Sequence, residues 1–266
     1  MTSEADVPVR TERRAAALWI WLNRPHALNS LTLQMIDGLH EGLDLAEDPD
    51  VRVVVIAGEG RAFCAGADLT HVLTRVNDDT EPGAEDDFLR QVGAAFDRLE
   101  CFGKPVIAAV HGLAVGGGLE LVLCCDLVVA TMSASFGDAH ANYGLLSAGG
   151  GSVRLPRRVG PARAKHLMFT GATLPARHLA GTDLITALVD DGQLASAVDS
   201  LVADIAGTSP AGIASMKALI DDGLQVPREV GLRMERQRAA AHTRTHDFHE
   251  GISAFTEKRS PKFTGR

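Results

Sequence analysis

The sequence of 266 residues predicts an α/β fold whose sheet is built mainly from parallel strands. Two observations support this prediction. In the first part of the chain, short β-branched runs alternate with amphipathic segments at a spacing that suits right-handed crossovers. From about residue 161 onward, the segments have mostly helical periodicity. We therefore expect an α/β core over residues 1–200 and a helical C-terminal region over residues 201–266.

The N-terminal part contains two expected strands and one helix. The first ten or so residues are expected to form a loose tail. Ala15–Leu22 is a short apolar strand that Asn23-Arg24-Pro25 ends. Thr32–Ala46 carries apolar residues at helical spacing, and its first residue is a candidate N-cap. Val51–Ala57 is a β-branched run typical of a buried strand.

The middle of the chain continues the alternation. Residues 77–87 are rich in acids and are expected to form a mobile loop, and Phe88–Leu99 is expected to be a helix. Strands are predicted at Lys104–Val110 and Asp126–Thr131, on either side of a helix at Gly116–Cys125. The later predicted helices are Pro161–Thr170, Leu194–Ala206, Pro210–Asp222, Pro227–Ala241 and His246–Thr256.

Composition excludes several classes of protein. The net charge of −8 argues against a general nucleic-acid binder. The most apolar region, Lys104–Ala130, contains Glu120 and Asp126, so we expect no membrane span. The N-terminus lacks the apolar stretch of a signal peptide. The four cysteines form no C-x-x-C pair, which argues against a disulfide framework or a zinc site and favours a cytoplasmic location.

Glycines are concentrated in one part of the chain. Nine of the 27 lie between Gly112 and Gly151, and a triple glycine, Gly116–Gly118, opens a predicted helix. The turn Ala65–Asp68 follows another strand. Two loops that each present a backbone N–H are what an oxyanion hole requires, and Glu120 would lie close by. The alternatives are a glycine-lined packing site and a first-turn acid that complements the helix dipole.

These segments together resemble the crotonase superfamily, the enoyl-CoA hydratase/isomerase family. The resemblance covers nearly the whole chain, in the family's order. The matching segments are Asn23–Leu31, Gly60–Leu69, Lys104–Ala130, Ala134–Gly160, Met168–Gly171 and Glu250–Gly265. The resemblance implies a spiral of ββα units, a C-terminal helical part that forms trimers or dimers of trimers, and an acyl-CoA thioester as substrate without a permanently bound cofactor.

The resemblance also implies roles for individual residues. The amides of Ala67 and Gly117 would form the oxyanion hole, and Glu120 would be a catalytic acid or base. The family's second glutamate is replaced by His140, and Ser147 stands where a proline is usual. His140 can still move a proton near neutral pH, so Glu120 and His140 are the expected catalytic pair. The alternative is that His140 only bonds a neighbouring loop.

Coenzyme A contacts are expected from a small set of residues. By resemblance these are Ala65, Asp68, His26, Phe255 and Lys262, with the tail residues reaching the cofactor from a neighbouring subunit in some members. Asp68 is also expected to hold the loop that carries Ala67. The stretch from residue 139 to residue 182 has six basic residues and no acids, which suits a polyphosphorylated ligand.

Other polar residues have simpler interpretations. His111 is expected to bond a turn, Asp126 to pair structurally, and Asp138 either to orient His140 or to be exposed. Tyr143 is a candidate for the acyl pocket. Cys64, Cys124 and Cys125 are expected in the core. No metal is expected at His242, His246 and His249, because no cysteine or pair of acids accompanies them.

Three hypotheses of function follow. The first is an acyl-CoA enzyme that hydrates or isomerises an unsaturated thioester. The second is a hydrolase or carbon–carbon lyase on the same oxyanion hole, in which His140 acts on a β-diketone or oxo-acyl-CoA. The third is a non-catalytic protein of the same fold, against which the presence of Glu120 and of both amide loops argues.

Overall fold

A computed structural model describes residues 7–76 and 84–266 of the chain. Within this part, nine strands form two sheets. The strands are β1 Val9–Arg14, β2 Ala17–Leu22, β3 Val53–Gly58, β4 Val106–Val110, β5 Leu113–Val115, β6 Leu127–Thr131, β7 Ser135–Gly137, β8 Thr173–Pro175 and β9 Ala187–Val189. The larger sheet has the order β1-β2-β3-β4-β6-β9, and the smaller has the order β5-β7-β8. All pairs in the larger sheet are parallel except β1 with β2, as the alternating pattern predicts.

Ten α-helices accompany these strands in the described residues. They are α1 Leu33–Ala46, α2 Leu69–Val76, α3 Ala84–Glu100, α4 Gly117–Leu123, α5 Gly151–Val159, α6 Pro161–Thr170, α7 Leu194–Ala206, α8 Pro210–Gly223, α9 Arg228–His242 and α10 His246–Glu257. The cap predicted for α1 is present, since the Thr32 side chain accepts a hydrogen bond from the Met35 amide. None of these helices is long and apolar enough to cross a membrane.

The larger sheet is covered on both faces. Side chains alternate along β2, so Leu18, Ile20 and Leu22 join the main core with α1, α3 and α4. Ala17 and Trp19 point to the opposite face, where α7 covers them. Burial on both faces explains why β3 and β4 are almost continuously apolar.

The N-terminal tail prediction is wrong for residues 9 and 10, which belong to β1. Four of the six residues of β1 are charged, which conceals the strand in the sequence. They are accommodated because β1 is an edge strand and its arginines stack on the indoles of β2. The Arg14 guanidinium lies 4.5 Å from the centroid of the Trp19 ring, and that of Arg10 lies 4.8 Å from Trp21.

Two helices were not predicted. The first, α2, follows the turn that contains Asp68. The second, α5, contains Pro156, which normally ends a helix. The acidic loop predicted at residues 77–87 falls partly outside the described residues, and α3 begins at Ala84, four residues before the predicted start.

The C-terminal region is helical, as predicted, and its last residues return to the core. The buried carboxylate of Asp247 accepts hydrogen bonds from the Ser209 hydroxyl at 2.6 Å and from the Thr264 amide at 2.8 Å. Arg52 donates to the Phe263 carbonyl at 3.0 Å. The division predicted at residue 200 stays a prediction, and α7 runs across that position.

Candidate active site

Two backbone loops meet at one end of the larger sheet. After β3, the Cys64 amide donates to the Leu113 carbonyl, and the Val115 amide donates back to the Cys64 carbonyl, both at 3.0 Å. On its other side, this segment is held by the Leu31 amide, which donates to the Gly66 carbonyl at 2.7 Å. The turn from Ala65 to Asp68 is therefore fixed between the Leu31 segment and the start of α4.

The amides of Ala67 and Gly117 lie side by side at this junction. A Cβ atom built on Gly117 would lie 3.6 Å from the Ala67 nitrogen, and one built on Gly66 would lie 3.3 Å from the Gly117 nitrogen. Gly66 has φ +94°, a conformation that favours glycine. Across the described residues, neither N–H has an acceptor in the protein. Two such donors can hold one oxyanion. The helix α4 has only seven residues, so the two amides, and not the helix dipole, are the basis of this oxyanion site.

Glu120 lies on α4 behind these amides and is 3% exposed. Its Oε1 accepts a hydrogen bond from the Gly151 amide at 2.9 Å, and its Oε2 lies 3.9 Å from Nε2 of His140. Burial raises the pKa of Glu120, although the Gly151 amide and His140 oppose that rise. The site therefore brings together the two side chains that the sequence predicts as a catalytic pair.

His140 also contacts a second carboxylate. Its Nδ1 lies 3.1 Å from Oδ2 of Asp138, an ion-pair contact that lacks the alignment of a good hydrogen bond. Asp138 is 2% exposed, so its alternative, exposure, is wrong. The Asp138 carboxylate raises the pKa of His140, against the effect of burial. Burial acts to raise the pKa of Asp138, but His140 and the Ser147 hydroxyl, which donates at 2.9 Å, outweigh it and lower that pKa.

A cavity of about 980 Å³ lies beside the Ala65–Asp68 turn. His26 and Asp68, both expected to contact coenzyme A, line it. Asp68 is also paired with Arg24 at 3.0 Å and accepts a hydrogen bond from the His71 amide, as its loop-holding role requires. Arg24, Arg61 and His71 add positive or ionisable groups to the lining, and no motif in the sequence predicts them there.

The other expected coenzyme A contacts lie elsewhere. The side chain of Phe255 is 86% exposed on α10, and the Lys262 amide donates to Glu250 at 2.6 Å. Neither residue lines the cavity in the described structure, and neither does Ala65, whose amide donates to the Leu28 carbonyl.

The basic stretch between residues 139 and 182 does not line this cavity either, and its expected role toward a polyphosphorylated ligand stays a prediction. In the described residues, none of its six basic side chains belongs to the lining. Arg158 donates to the Cys125 carbonyl at 2.7 Å, and Arg154 pairs with Glu100 and Asp97. The sequence alone does not reveal that Asp97 and Glu100, which are distant along the chain, pair with Arg154.

The simpler interpretations are confirmed for several residues. His111 shares a hydrogen bond with the Gly60 carbonyl at 2.9 Å. Asp126 accepts from the Val106 amide at 2.7 Å and pairs with Lys217 at 2.8 Å. Cys64 is fully buried, as are Cys124 and Cys125, and burial raises the pKa of the Cys64 thiol to about 12. Tyr143 is 68% exposed.

The fold and the two adjacent amides indicate a class of protein that stabilises an oxyanion, and comparison with known proteins identifies the family. The model of the enoyl-CoA hydratase/isomerase family matches residues 12–266. The chain belongs to this family, and the resemblance inferred from its motifs is confirmed.

Individual relatives align along almost their full length. Enoyl-CoA hydratase domain-containing protein 2 of Mus musculus is 37% identical over 100% of this chain and 90% of its own. The 2,3-dehydroadipyl-CoA hydratase of Escherichia coli is 36% identical over 96% of this chain and 97% of its own. The crystal structure of an enoyl-CoA hydratase from Bacillus anthracis superposes with a TM-score of 0.90 at 33% identity, covering 97% of this chain and 100% of that one.

Proposed function

We propose that the protein hydrates the double bond of an α,β-unsaturated acyl-CoA thioester or shifts its position. The observation that carries this proposal is the distance of 3.9 Å between Glu120 Oε2 and His140 Nε2, beside two unpaired amides. Membership of the enoyl-CoA hydratase/isomerase family and the names of the relatives support the same chemistry.

The pair is spaced to hold a single oxygen atom. Two groups 3.9 Å apart leave room for one water that lies about 2.8 Å from each of them. A buried carboxylate beside this water is a general base, and an imidazolium held by Asp138 is a general acid. The site thus contains one acid and one base of different chemical type.

Hydration then proceeds with balanced proton movements. Glu120 takes a proton from water as the water oxygen bonds to the β-carbon. The electron pair of the double bond moves to the thioester oxygen, and the amides of Ala67 and Gly117 stabilise this enolate. His140 gives a proton to the α-carbon, and the carbonyl re-forms. The proton on Glu120 then returns to His140 through a water between them.

The cavity beside Asp68 supports binding of the coenzyme A arm. Its lining includes Arg24, His26 and Arg61, and guanidinium groups are suited to phosphate. Phe255 and Lys262 would reach the cofactor of a neighbouring subunit, since they do not line the cavity of their own chain. This arrangement requires an oligomer, and we expect a homotrimer or a dimer of trimers in the cytoplasm.

The first test is an assay of the purified protein with unsaturated acyl-CoA thioesters of several chain lengths. Hydration adds the oxygen of labelled water to the product, whereas isomerisation leaves the mass unchanged. Glu120→Gln keeps the shape of the side chain and should lower kcat by about a hundredfold or more. A folded wild-type protein that turns over none of these thioesters would contradict the proposal, and tight binding of RNA without coenzyme A would favour the non-catalytic alternative.

A second function is favoured by one specific observation, the His140–Asp138 contact of 3.1 Å. A histidine oriented by a carboxylate can activate water for attack on a carbonyl, as in hydrolysis or carbon–carbon cleavage of an oxo-acyl-CoA. If this is the reaction, His140→Glu should gain hydratase activity and lose the cleavage. Unchanged activity in His140→Ala would remove this alternative.

A further inference from the structure

The turn Gly149–Gly151 contacts the carboxylate of Glu120. The Gly151 amide donates to Oε1 of Glu120 at 2.9 Å. A Cβ atom built on Gly149 would lie 3.0 Å from the carboxyl carbon of Glu120 and 2.8 Å from the ring of Phe96. The turn therefore lies in direct contact with the carboxylate, and the orientation of Glu120 depends on where the turn lies.

Arg154 fixes this turn to α3. One guanidinium nitrogen donates to the Gly149 carbonyl at 2.7 Å. The others bind Glu100 at 2.6 and 3.1 Å and Asp97 at 2.7 Å. The Arg154 side chain is only 14% exposed, although its carboxylate partners Asp97 and Glu100 reach the surface. Gly150, at φ +93°, lies against the guanidinium, and a Cβ there would overlap it.

The Gly149–Gly151 turn lies next to a cavity into which it can shift. A cavity of about 350 Å³ borders the turn, and its lining includes Gly149, Gly150 and Arg154 but not Glu120. Without the guanidinium, packing on that side does not oppose a shift of the turn away from α4. Such a shift would lengthen the hydrogen bond from the Gly151 amide to Glu120 and release the carboxylate.

We propose that Arg154 is a positioning residue for catalysis: it holds the Gly149–Gly151 turn against Glu120, which leaves Oε2 facing His140. Arg154 makes no direct contact with Glu120 or His140 in the described structure, and it acts on Glu120 through the Gly149–Gly151 turn. This inference rests on the proposed function of Glu120 as the base of the reaction.

The test compares Arg154→Met and Arg154→Lys with the wild-type enzyme. In Arg154→Met, kcat should fall by about ten- to a hundredfold with KM changed less than about twofold, since misplacement of a reacting group costs rate. The limb of the pH profile that belongs to Glu120 should move to higher pH. In the wild-type enzyme the hydrogen bond from the Gly151 amide stabilises the charged carboxylate, and its loss raises the pKa of Glu120. Arg154→Lys, which can still reach the Gly149 carbonyl, should restore part of both effects.

Two controls separate positioning from stability. Arg157→Met removes a neighbouring arginine of α5 whose guanidinium donates only to the Val153 carbonyl in the described structure, and it should leave kcat unchanged. Asp97→Asn removes one partner of Arg154 without leaving a buried charge unpaired, and it tests the same link if Arg154→Met does not fold. A loss of thermal stability in either Arg154 variant with kcat and the pH limb unchanged would overturn the proposal.

A third measurement keeps this inference separate from the proposed function. The carboxyl carbon of Glu120 can be titrated by NMR, with Glu120→Gln to assign its signal. If the wild-type protein turns over no thioester, the proposed function fails, but a higher Glu120 pKa in Arg154→Met would still support the positioning role. An unchanged Glu120 pKa in that variant would contradict it.

Discussion

At the scale of single residues, the surroundings of three neighbouring ionisable groups in the site shift the pKa of each. Burial raises the pKa of Glu120, the Asp138 carboxylate raises that of His140, and His140 with Ser147 lowers that of Asp138. A base that ionises late and an acid that stays protonated longer can coexist over a pH range near neutrality. Titratable groups whose pKa values are shifted by burial and by charged neighbours are typical of acid/base sites.

The pH profile of kcat/KM should therefore be a bell whose two limbs both lie above the ordinary values for a glutamate and a histidine. Activity should rise with pH as Glu120 loses its proton and fall as His140 loses its own. Because the two groups interact, the apparent values belong to the pair. A profile with its acidic limb at or below the ordinary range of a glutamate would contradict the role of Glu120 as the base.

Asp138→Asn tests the second carboxylate. Loss of the charge near Nδ1 should lower the pKa of His140, so the alkaline limb should move to lower pH and kcat should fall on the order of tenfold to a hundredfold. In the wild-type protein, the lowered pKa of Asp138 also stabilises the fold above the ordinary range of an aspartate, and this contribution is lost as pH falls through its folded-state pKa.

Denaturation across acidic pH, together with the pH profile, checks both effects. Asp138→Asn should lack the part of the acid-dependent loss of stability that comes from this group. An alkaline limb that stays in place would show that Asp138 does not act on His140.

At the scale of secondary structure, the sequence predicts those elements that their own local pattern of residues explains. The β-branched runs gave β3 and β4 because both faces of these strands are buried. The strand β1 was not predicted because most of its side chains are charged and are stabilised by the indoles of β2. The helix α5 was not predicted because it contains Pro156, although its Leu155 and Val159 pack into the main core.

The same distinction holds for the site. Ala67, Gly117 and Glu120 could be predicted, because a motif places them at fixed positions. The burial of Asp138 and the contacts of Arg154 could not, since Asp97 and Glu100 are 57 and 54 residues away from Arg154 along the chain. Pairing across such distances leaves no periodic signal in one sequence.

Two glycines in helices should respond in opposite directions to alanine. A Cβ on Gly118 in α4 would overlap the Cys64 carbonyl and press the two site loops apart. Gly118→Ala should lower the free energy of unfolding by about 1–3 kcal/mol and reduce kcat. A Cβ on Gly93 in α3 meets no atom within 4 Å, so Gly93→Ala should stabilise the protein by about 0.5–1 kcal/mol with unchanged kcat.

Denaturant unfolding of both variants measures this difference. Equal effects on stability in the two helices would contradict the close approach between α4 and the Cys64 segment.

At the scale of the whole molecule, the C-terminal helices expose apolar side chains whose contact with water is unfavourable in a monomer. Met216 and Ile220 are 53% and 62% exposed at consecutive turns of α8, and Leu224 follows at 78%. Side chains four residues apart lie on the same face of a helix. This row of exposed apolar residues is our candidate for the interface of the proposed oligomer.

Ile220→Arg should break the proposed trimer, because it places a charge in the middle of this row. Light scattering should give the wild-type protein a mass three or six times the 28.1 kDa of the chain and the variant a smaller one. Leu45→Arg is the matched control, since Leu45 is 57% exposed on α1 and is not part of this row, and its substitution should keep the mass. If Phe255 and Lys262 complete the cofactor site of a neighbour, KM for the thioester should rise only in Ile220→Arg. A wild-type protein of monomeric mass with full activity would contradict both the assembly and the shared site.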